Sequence, residues 1–431
     1  MQGMNTQTAV QPLAPGRQVT LLPEMVVQML LNAKAHVVSK DQHTITFEGE
    51  GTLLHSRDFE VVRKVVDKMR PRLPKQLTAG TILSVLREAQ SEVRQAVFWP
   101  GVVNVLYYPV QTPGSAFYRC VLPALALNRG TAVRAHLSHH RIPAEALNYD
   151  VIVFQIDHSP HTRAFTQNLQ NMGKKVVFEI DDAFAHLSPT QPQYAGYSTP
   201  ERQAEVRAMM QQADAVTVST NALRDLYEKD CRRIAVIPNM IDVPLWPRAI
   251  PHRTGQFRVL WAGSPSHDDD LAMIYHALER FSTQSTGIHF IFFGSAPQGL
   301  AIPARNVKVL PFASFVDYPD LLAGVQADVA LAPLVPSTFN RCKSNVKALE
   351  YMATGYPVIA SNVEPYQFIC NGKDGMLFKN PEELLSMLQV AYNNRAAMGK
   401  IREAAFQTVQ QYDTSVRRAK IEEFFGSLME T

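Results

Sequence analysis

The chain is short of paired cysteines: its four, Cys120, Cys231, Cys342 and Cys370, are scattered, with no CxxC. That spacing excludes a zinc ribbon and a disulfide framework, and buried thiols in a reducing compartment are the expectation. No run approaches the 18 or so apolar residues of a membrane span, and no positive segment precedes a signal-like apolar core at the N-terminus, so a cytoplasmic location is expected. Charge of either sign is scarce as well. With 42 basic and 39 acidic residues the formal net charge is +3, which gives no general attraction to nucleic acid or membranes and leaves only local basic patches to consider. No DxD metal motif stands in a suitable context, and no bound metal is expected.

What is present is a hydrophobic content of 46% over 431 residues, enough for two domains of roughly 150 to 200 residues and an appendage. Residues 1–22 read as a loosely held tail, 25–35 as a helix, and 43–54 as two short strands or a hairpin turning at Gly49-Glu50-Gly51. Helices are expected over 57–69 and 78–97. Within this N-terminal accessory region, 1–100, Arg63, Lys64, Lys68, Arg70, Arg72 and Lys75 form a basic cluster, either a solvated helix face or a surface for a polyanionic acceptor.

From Val102 the pattern changes to apolar strands alternating with helices: VVNVLYY, DVIVFQIDHS, KKVVFEIDDAF, ADAVTVSTNALRDLY and RRIAVIPNMID. This is the signature of a parallel, doubly wound sheet, which binds ligands beyond the carboxyl ends of its strands. The residues at those ends are Gly114, Ser115, Tyr118 and Arg119, then Asp157 and His158, then Asp181 and Asp182. Each has a plain structural alternative, a helix cap for the aspartates and a hydrogen-bonded loop position for the histidine. The three prolines of 243–256 mark a linker. A second doubly wound unit follows, beginning FRVLWAGSPSHDDD, continuing through IHFIFFGSAP, VKVLPF and ADVALAPL, and ending in a helix over 414–430.

The densest local signal is PSTFNRCKSNVKALEYMATGYPVIASN, 336–362. Ser344 is placed to cap a helix starting at Asn345, Gly355 to end it, and Pro357 to open the strand Val358-Ile359-Ala360. Free amides at such a helix start, with Lys343 and Lys347 beside them, suit phosphate oxygens, and Glu350 follows about two turns on along the same face.

The stretch LEYMATGYPVIAS resembles the donor-binding signature of group-1 (GT4-like) GT-B glycosyltransferases, in a divergent bacterial or phage-type form in which a Lys-Ser pair precedes the helix. The resemblance covers 102–430 and extends to TPGSAFYR, Ser219-Thr220-Asn221, Asn239 and AGSPSHDDD. It implies a GT-B fold: an acceptor domain over 101–247, a nucleotide-sugar donor domain over 256–410 and a terminal helix over 411–431 that crosses back. It implies transfer of a sugar from a nucleotide sugar, UDP- or GDP-linked, to a hydroxyl of a saccharide, a lipid-linked sugar or a modified DNA base, with no permanent cofactor. Gly263, Ser264, His267, Gly294, Phe312, Lys343, Ser344, Asn345, Lys347 and Glu350 would serve the donor, with Glu350 on the ribose and Phe312 near the base. Gly114, Ser115, Tyr118, Arg119 and Asp182 would serve the acceptor. Asp157 or Asp181, with His158, would supply a base if the enzyme inverts. One departure stands out: the family's EX7E pattern has a first Glu where this chain has Cys342, which leaves the sugar and the stereochemistry open. Two other readings remain, a nucleotide-sugar 2-epimerase of the same fold and a non-catalytic nucleotide-sugar-binding module.

Overall fold

The computed structural model describes residues 36–40, 45–48, 101–109, 113–138, 146–251, 255–314 and 317–430. Two units separate, Met1–Val97 and Phe98–Thr431. In the first, strands β1 (His36–Lys40) and β2 (Ile45–Glu48) pair antiparallel. Strand β2 falls within the stretch 43–54, and the turn expected at Gly49-Glu50-Gly51 lies outside the described residues. The expected helices over 25–35, 57–69 and 78–97, and the basic cluster from Arg63 to Lys75, lie outside the described residues.

The second unit holds two six-stranded parallel sheets. The first contains β3 (Val103–Tyr108), β4 (Val133–Leu137), β5 (Val151–Gln155), β6 (Lys175–Ile180), β7 (Ala215–Val218) and β8 (Ile234–Val236), in the order β4-β3-β5-β6-β7-β8. The second contains β9 (Phe257–Gly263), β10 (Ile288–Gly294), β11 (Val307–Leu310), β12 (Val329–Ala332), β13 (Val358–Ser361) and β14 (Met376–Phe378), in the order β11-β10-β9-β12-β13-β14. Central strands such as β5, β12 and β13 are buried along their whole length, as continuous apolar runs between two helical layers must be. The order of the second sheet is that of a dinucleotide-binding fold, with its switch point between β9 and β12; the first reverses direction between β3 and β5. Strand β4 went unforeseen in the sequence, because its buried Arg134 and His136 interrupt the apolar run expected of a strand.

The terminal helix Thr414–Met429 packs on the helix Leu122–Asn128 of the first sheet. Phe425 meets Tyr107 edge-on at 6.3 Å, and the carboxylate of Asp242 receives Arg129 at 2.6 Å and the Thr414 hydroxyl at 3.1 Å. Both halves are thereby tied behind the cleft, and the carboxyl ends of the two sheets line one cavity. Among the described residues no helix is long and apolar enough to cross a membrane.

Candidate active site between the two sheets

The second sheet's side of the cavity is built on the helix Val346–Thr354, which carries its apolar residues Ala348, Leu349, Met352 and Ala353 into the core. It starts one residue later than the sequence suggests. Asn345, not Ser344, is the capping position, and its side chain makes no capping hydrogen bond, so amide groups of the first turn are not satisfied by it. Ser344 instead accepts a 2.8 Å hydrogen bond from the Asn239 amide, which reaches across from the first sheet. Gly355 ends the helix with φ +82°, the left-handed conformation that a C-terminal glycine permits.

The cavity has a volume of about 300 Å³. Its wall includes Gly263 and Ser264 after β9, Gly294 after β10, Phe312 after β11, and His267, Lys343, Ser344, Lys347 and Glu350. From the first sheet come Gly114, Ser115, Tyr118, Asp181, Asp182 and Asn239. Gly294 has φ +100°, and a Cβ there would sit 2.5 Å from the Gly263 carbonyl oxygen, so only glycine lets these two strand ends lie together.

Charged groups of both signs line the cavity. The Lys347 ammonium is buried with no hydrogen-bond partner and stands 5.0 Å over the Trp261 ring. Burial lowers its pKa to about 8, although Asp270 and Glu350 favour the charge. Lys343 lies 4.5 Å over the Phe339 ring and 3.9 Å from Asp182. Desolvation, opposed by Lys343, raises Asp182 to about 6. Glu350, 8% exposed, accepts hydrogen bonds from Tyr118 at 2.5 Å and Tyr318 at 3.2 Å. Burial pushes its carboxyl up to about 7, against the lowering effect of those hydroxyls and Lys347.

On the first sheet's side Gln155 donates to the Ser115 hydroxyl at 2.7 Å, which spends its own proton on Asp181 at 2.6 Å. The loop expected at TPGSAFYR is already helical, Pro113–Ala116 running into a wide turn over Phe117–Val121. That geometry separates neighbours. Tyr118 lines the cavity, whereas Arg119 turns into the sheet and pairs with Glu179 at 2.6 Å, 3% and 2% exposed respectively, also donating to the Ile237 carbonyl and Asn239. Arg119 therefore anchors Asn239 and does not line the cavity.

Asp157, His158 and Asn345 are not brought to the cavity wall either. Asp157 receives the Ser159 amide at 3.1 Å in the turn before the helix Pro160–Asn171, and His158 holds the Ile156 carbonyl at 2.8 Å with Glu205 4.0 Å away. Cys342 is buried in the core of the first sheet with Phe339, and its carbonyl accepts the Thr220 hydroxyl at 2.9 Å. Tyr318, Tyr366 and Leu334 line the cavity without any local signal in the sequence, since each is an ordinary apolar-face residue until the fold turns it inward. Among the described residues no group of three or more His, Cys, Asp or Glu could hold a metal ion.

Two doubly wound sheets that face each other across a cavity at their carboxyl ends define a GT-B fold. Residues 256–394, about a third of the chain, match the family model described as Glycosyl transferases group 1. Among solved structures the chain is similar to HepE of Anabaena in complex with UDP, at 16% identity and TM-score 0.57 over 76% of this chain and 100% of that one. It is also similar to sucrose-phosphate synthase of Thermosynechococcus elongatus, at 14% identity and TM-score 0.52 over 76% and 99%. TarM matches at 16% identity and TM-score 0.51 over 65% of this chain, which spans only 55% of TarM. These likenesses establish the fold. No curated protein matches the chain in sequence.

Proposed function

We propose that the protein transfers a hexosyl group from a UDP-sugar to a hydroxyl of a saccharide acceptor. The observation that carries this reading is the buried, unpartnered Lys347 ammonium, placed beside Lys343 and Ser344 at the start of the donor helix with the Glu350 carboxylate about two turns along. An anion there would gain charge-assisted hydrogen bonds from a buried ammonium, and the two lysines would stabilise the diphosphate as it leaves. The Glu350 carboxylate suits ribose hydroxyls, and Phe312, 61% exposed at the rim, offers a face to a base. UDP rather than GDP is favoured by the HepE structures, which hold UDP and UDP-glucose.

Asp181 is the acceptor-side carboxylate on the cavity wall, and its contact with Ser115 fixes one oxygen, so it is the group assigned to take the acceptor's proton. Holding both substrates between the sheets supplies the orientation that transfer needs. Calorimetry with UDP and GDP, followed by UDP release from UDP-glucose, UDP-galactose and UDP-N-acetylglucosamine over a panel of oligosaccharides, tests the reading. UDP binding with acceptor-dependent release is expected; absence of binding to either nucleotide refutes it.

A further inference from the structure

His267 lines the cavity with a built support behind it. Its Nδ1 lies 2.8 Å from Oδ2 of Asp270, a residue 3% exposed, whose Oδ1 accepts the Val335 amide at 2.8 Å and the Asn340 side-chain amide at 2.7 Å. Asn340 is itself fixed by donating to the Val335 carbonyl at 3.0 Å. Burial alone would raise the Asp270 carboxyl, but its hydrogen bonds to His267 and Val335 and the charge of Lys347 hold it below the usual range. An ionised carboxylate only accepts, so Nδ1 carries the imidazole proton. Burial, together with Lys347 and Lys343, lowers His267 to about 3, which leaves the ring neutral and Nε2 a lone pair. The side chain keeps 16% of its surface open.

A neutral acceptor beside two cations is an unusual choice for phosphate, whose ionised oxygens bring no proton to share. A sugar hydroxyl does. Resting on the donor reading above, we propose that His267 is a specificity-determining residue, accepting at Nε2 a hydrogen bond from a hydroxyl of the donor's sugar, and that Asp270 and Asn340 position the ring for it. The nucleotide and diphosphate are held by other groups, so the contact discriminates between UDP and UDP-sugar rather than adding to both.

The test is calorimetric titration of wild type and His267→Asn with UDP and with UDP-glucose, UDP-galactose and UDP-N-acetylglucosamine. Asparagine keeps an N–H for Asp270 and removes Nε2, so the support survives; His267→Phe, which removes both nitrogens, is the second variant, and each variant's unfolding midpoint is recorded. The expected result is that UDP binds both variants within about twofold of wild type, whereas the sugar nucleotide that wild type binds best weakens about five- to tenfold, the range of one neutral hydrogen bond. Equal weakening of UDP and the sugar nucleotide would identify a phosphate contact and overturn the inference, as would no change in either. Wild type that binds UDP but none of the three sugar nucleotides overturns it while leaving the nucleotide assignment standing. Failure to bind UDP at all removes the donor reading itself.

Discussion

Replacing Glu350 by glutamine separates what this residue costs the fold from what it does for the ligand. Its carboxyl is moved by burial from an ordinary 4.5 to about 7, so ionising it in the folded state costs about 3 kcal/mol, at about 1.4 kcal/mol per pH unit. The sign follows from linkage. Because the folded pKa is the higher one, the folded protein holds the proton more tightly, and the associated stability is present below pH 4.5 and lost as the pH rises through 7. Glutamine has the same shape and cannot ionise; its one oxygen still accepts from one of the two tyrosine hydroxyls, while the other hydroxyl must turn to accept from the amide NH2. Glu350→Gln should therefore be more stable than wild type at pH 8 by up to about 3 kcal/mol, less whatever Lys347 loses with its neighbouring charge. The gain should shrink to less than half by pH 5.5. Urea denaturation between pH 5.5 and 8.5, run beside a thermal-shift titration with UDP, reads both effects, since a ligand that binds only the folded state raises its stability. Greater stability at pH 8 together with loss of the UDP shift is expected, a trade characteristic of functional groups held in unfavourable surroundings. A variant less stable than wild type at pH 8, or a difference that does not change with pH, would refute the reasoning.

Lys347→Met should lower UDP affinity by tenfold or more, and it should also abolish the alkaline limb of binding: with Lys347 lowered to about 8, wild-type affinity falls as the pH rises through 8, because the ammonium is lost. Calorimetry from pH 6.5 to 9 in matched ionic strength checks both. Arg119→Met leaves the buried Glu179 carboxylate without its partner, a change that typically costs about 3 to 5 kcal/mol, so the unfolding midpoint in urea should drop sharply. Gly294→Ala forces a side chain into φ +100° and against the Gly263 carbonyl, so UDP binding should weaken severely while circular dichroism shows the sheets retained.

Much of this was legible because local rules and the fold agree. The alternation of apolar strands and helices announced two parallel sheets, and the Gly355 stop and Pro357 restart bracketed the donor helix correctly at its C-terminal end. Lys347 and Glu350 could be read as one surface because a helix fixes their mutual positions, and Lys343 and Ser344 lie close before its cap in the same segment. Arg119 was the opposite case: a charged residue one place after a cavity-lining tyrosine looks like part of the site until Glu179, sixty residues away, is found waiting inside the sheet. Asp157 and Asp181 both follow apolar strands, and nothing local tells which reaches the cleft; a turn around Ile156, with φ +57°, directs the first to its own backbone, while Ser115 receives the second.

Sequence by itself determined the class of fold and the helix-then-strand order of the segment 336–362, because periodicity and helix punctuation are short-range properties written into neighbouring residues. Only the tertiary structure decided which of the strand-end residues meet, that Lys347 is buried without a partner, and that His267 is held by Asp270 and Asn340. Desolvation and pairing depend on groups apart in the chain, so these properties come into being only as the chain packs.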